Sequence, residues 1–179
     1  WGYAKIFEYG ITTATQGPAA PQVKLIETLY EREMIPVVRL GGRIEGGIWQ
    51  EPADTPDGTY GDIAEAFKRV VAGYPLSDEC PLYIEVWNEA NLGLEWSGTP
   101  KPAEFAKFYV RCFKAIRSLG DPRILISPGA MSPGGEYQSL AFIAACCEAE
   151  PEFVNSFDWW ATHPYPGATP PWVNAHDDP

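Results

Sequence analysis

Basic residues are scarce in this 179-residue chain: 13 Lys and Arg stand against 24 Asp and Glu, a formal net charge of −11. A nucleic-acid partner asks for a basic face, so a phosphate-backbone binder is excluded. Only two His are present, and the four cysteines (Cys80, Cys112, Cys146, Cys147) show no CxxC or Cys/His spacing, so neither zinc nor any other resident metal is expected. There is no GxGxxG and no GxxxxGK[ST], which removes the usual signs of a nucleotide cofactor, and no cofactor is expected. No apolar run reaches the length of a membrane span. Cys112 and the Cys146-Cys147 pair fall on apolar helix faces, so free, buried thiols are expected rather than disulfides.

Aromatic residues, by contrast, are plentiful: 7 Trp, 9 Tyr and 8 Phe. Such rings fill cores and also stack on sugar faces, so carbohydrate binding is allowed. The chain alternates strands with amphipathic helices. Strands are predicted at Tyr3 to Tyr9, Ile35 to Leu40, Tyr83 to Val86, Arg123 to Ser127 and Phe157 to Thr162. Helices are predicted at Gln22 to Glu33, Asp62 to Ala72 (Asp62 as N-cap, Gly73 as stop), from Thr99-Pro100 to Leu119, and Ser139 to Glu148 with Leu140, Ile143 and Cys147 inward. That order gives parallel βαβ units. Every polar cluster (Gly41 to Trp49, Asn88 to Trp96, Pro128 to Gly135, His163 to Tyr165) follows the C-terminal end of a strand, where an α/β barrel keeps its active site. An open flavodoxin-like sheet shares much of the pattern.

The residues Tyr83 to Leu92, YIEVWNEANL, are the centre of the sequence. An amide and a carboxylate at the end of an apolar strand do little for stability and suit chemistry. A lone Asn-Glu is most often a cap or an ion-pair partner, so the context has to carry the assignment. YIEVWNEANL resembles the fourth strand of the clan A glycoside hydrolases, (β/α)8 TIM-barrel enzymes that cleave glycosidic bonds with retention. DWWATHPYPG resembles the sixth strand of family 39-like members, with family 5-like members as second choice, and PVVRLGG resembles their third strand. The resemblance implies that Glu89 is the general acid/base, that Asn88 holds the sugar 2-hydroxyl, and that His163 and Tyr165 line the subsite at the scissile bond. The implied substrate is a poly- or oligosaccharide, with an extracellular or periplasmic setting favoured.

The residues agree with that chemistry. A glycosidic oxygen leaves poorly unless an acid gives it a proton, and Trp87 and Trp96 are candidates for an apolar wall around that acid. A regular pleat sends Asn88 and Glu89 to opposite faces, so the strand is expected to break at this pair. Parity puts Glu85 on the face of Glu89, and Arg39 on the neighbouring strand is expected to pair with Glu85 or another carboxylate. Trp49, Trp96, Tyr165 and Trp172 sit in loops on that side and could stack on sugar rings, although any single one more often packs.

Retention also needs a second carboxylate about 5 Å from the first. Glu45, Asp54 and Glu136 are loop acids, Asp158 lies at the wrong end of its strand, and no Glu matches the nucleophile of the resembled clan. Counted from the Tyr83 strand as fourth, the chain supplies about strands 2 to 6 of a barrel that usually needs ~250 residues. Strands 1, 7 and 8 are expected from the same or another chain, and the 179 residues alone are expected to be inactive. Two rival readings stay open: a non-catalytic carbohydrate-binding or matrix protein on a barrel-derived scaffold, and an unrelated α/β enzyme.

Overall fold

Strand β1 (Gly2–Glu8) and strand β2 (Met34–Leu40) run parallel, joined by helix α1 (Ala20–Glu31). The computed structural model describes residues 2–53 and 58–163. Tyr165, Trp172 and Asp54 lie outside the described residues. After β2 the loop expected at Gly41 to Trp49 contains a small antiparallel hairpin, β3 (Ile44–Glu45) with β4 (Ile48–Trp49). Gly46 and Gly47 turn it at φ 59° and 82°, values that suit glycine. Helix α2 (Gly61–Ala72) leads to β5 (Leu82–Val86), helix α3 (Pro102–Arg117) to β6 (Ile124–Pro128), and helix α4 (Ser139–Ala149) follows.

The main sheet has the order β1-β2-β5-β6, all parallel, so spatial order follows sequence order with no reversal. The architecture is α/β and is compatible with part of an α/β barrel. Register places Ile6, Val38, Ile84 and Ile126 in one row, buried with Ile26 of α1, Phe67 of α2 and Phe108 of α3. The next row, Phe7, Arg39, Glu85 and Ser127, faces the other way and carries the polar groups. Because strand neighbours share a face, one residue of offset separates the core from the chemistry. Among the described residues no helix is long and apolar enough to cross a membrane.

Several local expectations are corrected. Asp62 is not the N-cap of α2; Tyr60 holds that position at φ 55°, and Asp62 lies in the first turn, where its charge suits the helix dipole. Gly73 does end the helix, but with right-handed backbone. Its missing side chain matters because a Cβ there would fall on the Pro18 ring. Helix α3 starts at Pro102 rather than at Thr99-Pro100, with Pro in the first turn. In α4 Phe142 and Cys146 are buried and Ile143 and Cys147 pack against the core, the last two as expected; Leu140 is 72% exposed, because Phe142, packed against Phe105 and Tyr137, takes the inward place instead. The four cysteines are free thiols, with Cys80, Cys112 and Cys146 buried.

The largest departure is at Phe157 to Thr162, which forms no strand. A short 3-10 helix (Pro151–Asn155) precedes it, and side chains then replace the backbone ladder. Asp158 N–H donates to Ile126 O, and Ile126 N–H donates to the Asp158 carboxylate rather than to a carbonyl, both at 2.8 Å. Trp159 Nε1 donates to Leu125 O, and Ala161 N–H to Ser127 Oγ. The segment still runs beside β6 and delivers His163 to the end of the sheet.

Candidate active site

Strand β5 ends at Val86, and the backbone then leaves β geometry: Trp87 has φ 77° and Glu89 φ 35°. The expected break at the Asn-Glu pair is there. Two left-handed non-glycine residues within three positions cost of order 1–3 kcal/mol each, so surrounding bonds must hold them. Trp87 N–H donates to Leu40 O of β2, and Glu89 N–H donates to Ala130 O beyond β6, both at 2.8 Å. Gly129 comes so close that a Cβ would lie 2.6 Å from the Trp87 carbonyl carbon, so this crossing needs glycine. The result is that Glu89 turns toward His163 while Asn88 turns toward the β2 side.

The charges form a chain across the sheet end. Glu85 is fully buried; its Oε2 lies 2.5 Å from Lys5 Nζ and 3.2 Å from Arg39 Nε, and its Oε1 accepts from Ala130 N–H. The expected Arg39–Glu85 pair is therefore present, with Lys5 as a second cation. Arg39 Nη2 sits 3.2 Å from His163 Nε2, and His163 Nδ1 sits 2.8 Å from Glu89 Oε1. A guanidinium only donates, so in this contact Nε2 is the acceptor. Nδ1 then carries the hydrogen and donates to Glu89. The Glu89 side chain is 14% exposed, enough to be reached from solvent.

On the other side of the break, Asn88 Nδ2 donates to Glu95 Oε1 at 2.8 Å, and Trp87 Nε1 donates to Glu95 O. A 3-10 turn (Gly93–Glu95) folds the loop back to place this acid. Burial raises the pKa of Glu95, the Asn88 hydrogen bond opposes that shift, and the nearby Glu89 charge adds to it. Glu95, Asn88, Arg39, Trp87, Tyr9 and Trp49 line a narrow cleft with room for about one water molecule. Tyr9 and Trp49 meet edge to face at 4.4 Å. Gly41 and Gly42 let these rings close in, since Cβ atoms there would lie 2.9 Å from Tyr9 and from Trp87.

Trp96 is corrected. It is fully buried against Trp87, Phe105 and Phe108, so it belongs to the core and offers no face to a sugar. Its loop position misleads because the aromatic face of α3, later in the chain, closes over it. Trp49 is half-buried and borders the cleft. Glu136 accepts from Gly93 N–H at 2.7 Å, a structural task. Asp158 is bound up with Ile126 and Arg117. Glu45 pairs with Arg43 on the hairpin. Glu95, Tyr9 and Lys5 went unnoticed in the sequence; the one hint was an acid, Glu95, between Leu94 and Trp96 in the loop that carries Asn88 and Glu89.

Asn91 is the hub that fixes this loop. It is fully buried, donates to Ser132 O and Tyr137 O, and accepts from Ser132 N–H. Gly135 crosses so near that a Cβ would collide with the Asn91 amide. Among the described residues there is no group of three or more His, Cys, Asp or Glu that could hold a metal ion. No protein-family model and no curated protein matches the chain.

Proposed function

We propose that this chain carries the acid/base half of a retaining glycoside hydrolase on a partial (β/α)8 barrel. One observation carries the reading. Glu89 lies just past the C-terminal end of a parallel strand, in a backbone break that aims it away from the pleat, with one oxygen bonded to His163 at 2.8 Å. Strand-end carboxylates beside an aromatic cleft are what glycosidic bond cleavage requires.

The geometry suggests how the proton is handled. With Oε1 accepting from His163 Nδ1, the transferable proton of Glu89 resides on Oε2. That proton passes to the glycosidic oxygen as the bond to the anomeric carbon breaks. A second carboxylate attacks that carbon from the opposite face to form a glycosyl ester. Glu89, now ionised, takes a proton from the water that displaces the ester, and the cycle closes. The reading places the nucleophile outside the described residues, since Glu95 is engaged by Asn88, and Glu45, Glu136 and Asp158 are engaged by Arg43, by Gly93 and by Ile126 with Arg117. Arg39, anchored by Glu85, orients His163 and through it Glu89. Asn88 faces Glu95 with one amide hydrogen and retains a second for a sugar hydroxyl.

The test is the configuration of the first product. In the full-length polypeptide acting on an oligosaccharide, proton NMR should show the original anomer before mutarotation; initial release of the opposite anomer would contradict the mechanism. A non-catalytic carbohydrate-binding protein would use the same sheet end, because Tyr9 and Trp49 stand there without help from Glu89. It would bind oligosaccharides and release no product.

A further inference from the structure

Lys5 belongs to no motif and takes no part in the acid–base steps above, yet it closes the charge chain at its β1 end. It lies on the same face as Phe7, two residues earlier, and reaches Glu85 across β2. Glu85, fully buried, commits its Oε1 to Ala130 N–H at 3.2 Å. Its Oε2 meets two cations, Lys5 Nζ at 2.5 Å and Arg39 Nε at 3.2 Å. An arginine beside a carboxylate ordinarily grips both oxygens with two parallel N–H bonds. Arg39 does not. Its Nε–H goes to Glu85 Oε2, while Nη2 of the same planar fork sits 3.2 Å from His163 Nε2. The fork is split between a carboxylate and an imidazole nitrogen, with the Phe7 ring under it, 5.2 Å from Cζ to centroid.

A second bond to the carboxylate is stronger for a guanidinium than one to an imidazole nitrogen, so something must hold the split. Lys5 is the closer of the two cations on Oε2. Together with Ala130 N–H on the other oxygen, it keeps the Glu85 carboxylate from turning both oxygens onto the fork. We propose that Lys5 is a positioning residue: by occupying Glu85 Oε2 it leaves one prong of Arg39 for His163, and so fixes the His163 tautomer that donates from Nδ1 to Glu89. Without Lys5, Arg39 closes on Glu85 through two bonds and His163 Nε2 loses that donor. The ring then also populates the form with its hydrogen on Nε2. In that form Nδ1 has no hydrogen for Glu89 Oε1, and the proton of the acid is no longer confined to Oε2. Lys5 touches no reacting atom. Its part in catalysis rests on the glycoside reading; its hold on His163 does not.

Histidine-directed 15N NMR of the full-length polypeptide reads the tautomer without any substrate, and the His163→Gln spectrum assigns the signal. The parent should carry its ring hydrogen on Nδ1 alone. Lys5→Met and Lys5→Ala both remove the cation, and in each the two ring shifts should move toward one another, the mark of a tautomer mixture. Lys5→Arg, which still places a cation on Oε2, should keep the Nδ1 form. In Lys5→Met, kcat on an oligosaccharide should fall about tenfold with KM within about twofold of the parent. The dinitrophenyl glycoside needs no proton, so its kcat should change by less than about twofold. An unchanged Nδ1 form in the charge-removing variants, or a mixture already present in the parent, would overturn the proposal. So would equal losses on the two substrates, which a merely structural lysine would give. A tautomer shift on removal of Lys5 in a polypeptide that hydrolyses no glycoside would contradict the hydrolase reading and leave the hold of Lys5 on His163 standing.

Discussion

Glu89 and Glu95 are six residues apart in one loop, and their neighbours give them different tasks. Glu89 has a histidine partner and access to solvent; Glu95 has a neutral amide partner and is raised in pKa by burial and by Glu89. The raised value has a consequence for stability. The folded state holds the Glu95 proton more firmly than the unfolded chain does. Its contribution to stability is therefore fully present below the ordinary glutamate range and is lost as pH rises through the raised folded value. Glu95→Gln cannot ionise, so the variant should gain in melting temperature relative to the parent as pH increases across that window. Parallel melting curves for the two proteins would show that Glu95 is not desolvated as described. At this scale the sequence was informative where a motif carries meaning: Asn88, Glu89, Arg39 and His163 all come to one place. It was uninformative for Glu95 and Tyr9, whose roles arise only when the loop folds back, and misleading for Trp96, whose burial depends on Phe105 and Phe108 of α3.

Helices and strands were legible because their periods are strong: Val70, Phe67 and Ile63 repeat on one face of α2, and β-branched residues fill β2, β5 and β6. The segment from Phe157 to Thr162 looked equally strand-like, but Asp158 turns its carboxylate onto Ile126 N–H and takes the place of a ladder carbonyl. A period cannot reveal that substitution. The loops after β5 and β6 behave as one unit through Asn91, and its removal shows how much they depend on each other. Asn91→Ala leaves Ser132 N–H and Tyr137 O without their partner in a partly buried setting, while Ser132 O keeps the Ser139 hydroxyl, and should cost about 1–3 kcal/mol. Urea denaturation measures it. Hydrogen exchange should also quicken at Ser132, whose N–H bonds to Asn91; a loss below about 0.5 kcal/mol would mean that the loops are held by other contacts.

For the molecule as a whole, a sheet whose order follows its sequence has a first strand with one unpaired side. Among the described residues β1 pairs only with β2, and Tyr3 and Phe7 are 65% and 44% exposed on the face that bears the charge chain. An open edge beside exposed aromatic rings favours pairing with another chain. The 179-residue chain should therefore self-associate in sedimentation at micromolar concentration. Added salt should strengthen the association, because it screens the mutual repulsion of chains with net charge −11. Replacing both rings, Tyr3→Lys with Phe7→Lys, should restore the monomer, and a parent that stays monomeric at all salt concentrations would show that the edge is covered. Alternation of strand and helix announced the parallel sheet, whereas whether such a sheet closes into a barrel depends on contacts between distant strands that no local period records. The claim on which the function depends is that Glu89 donates the proton to the leaving alcohol. The direct measurement is kcat/KM for Glu89→Gln in the full-length polypeptide, on an oligosaccharide and on its dinitrophenyl glycoside, whose leaving group needs no proton. The account predicts a loss of about a thousandfold on the first and under about tenfold on the second; equal losses on both would contradict it.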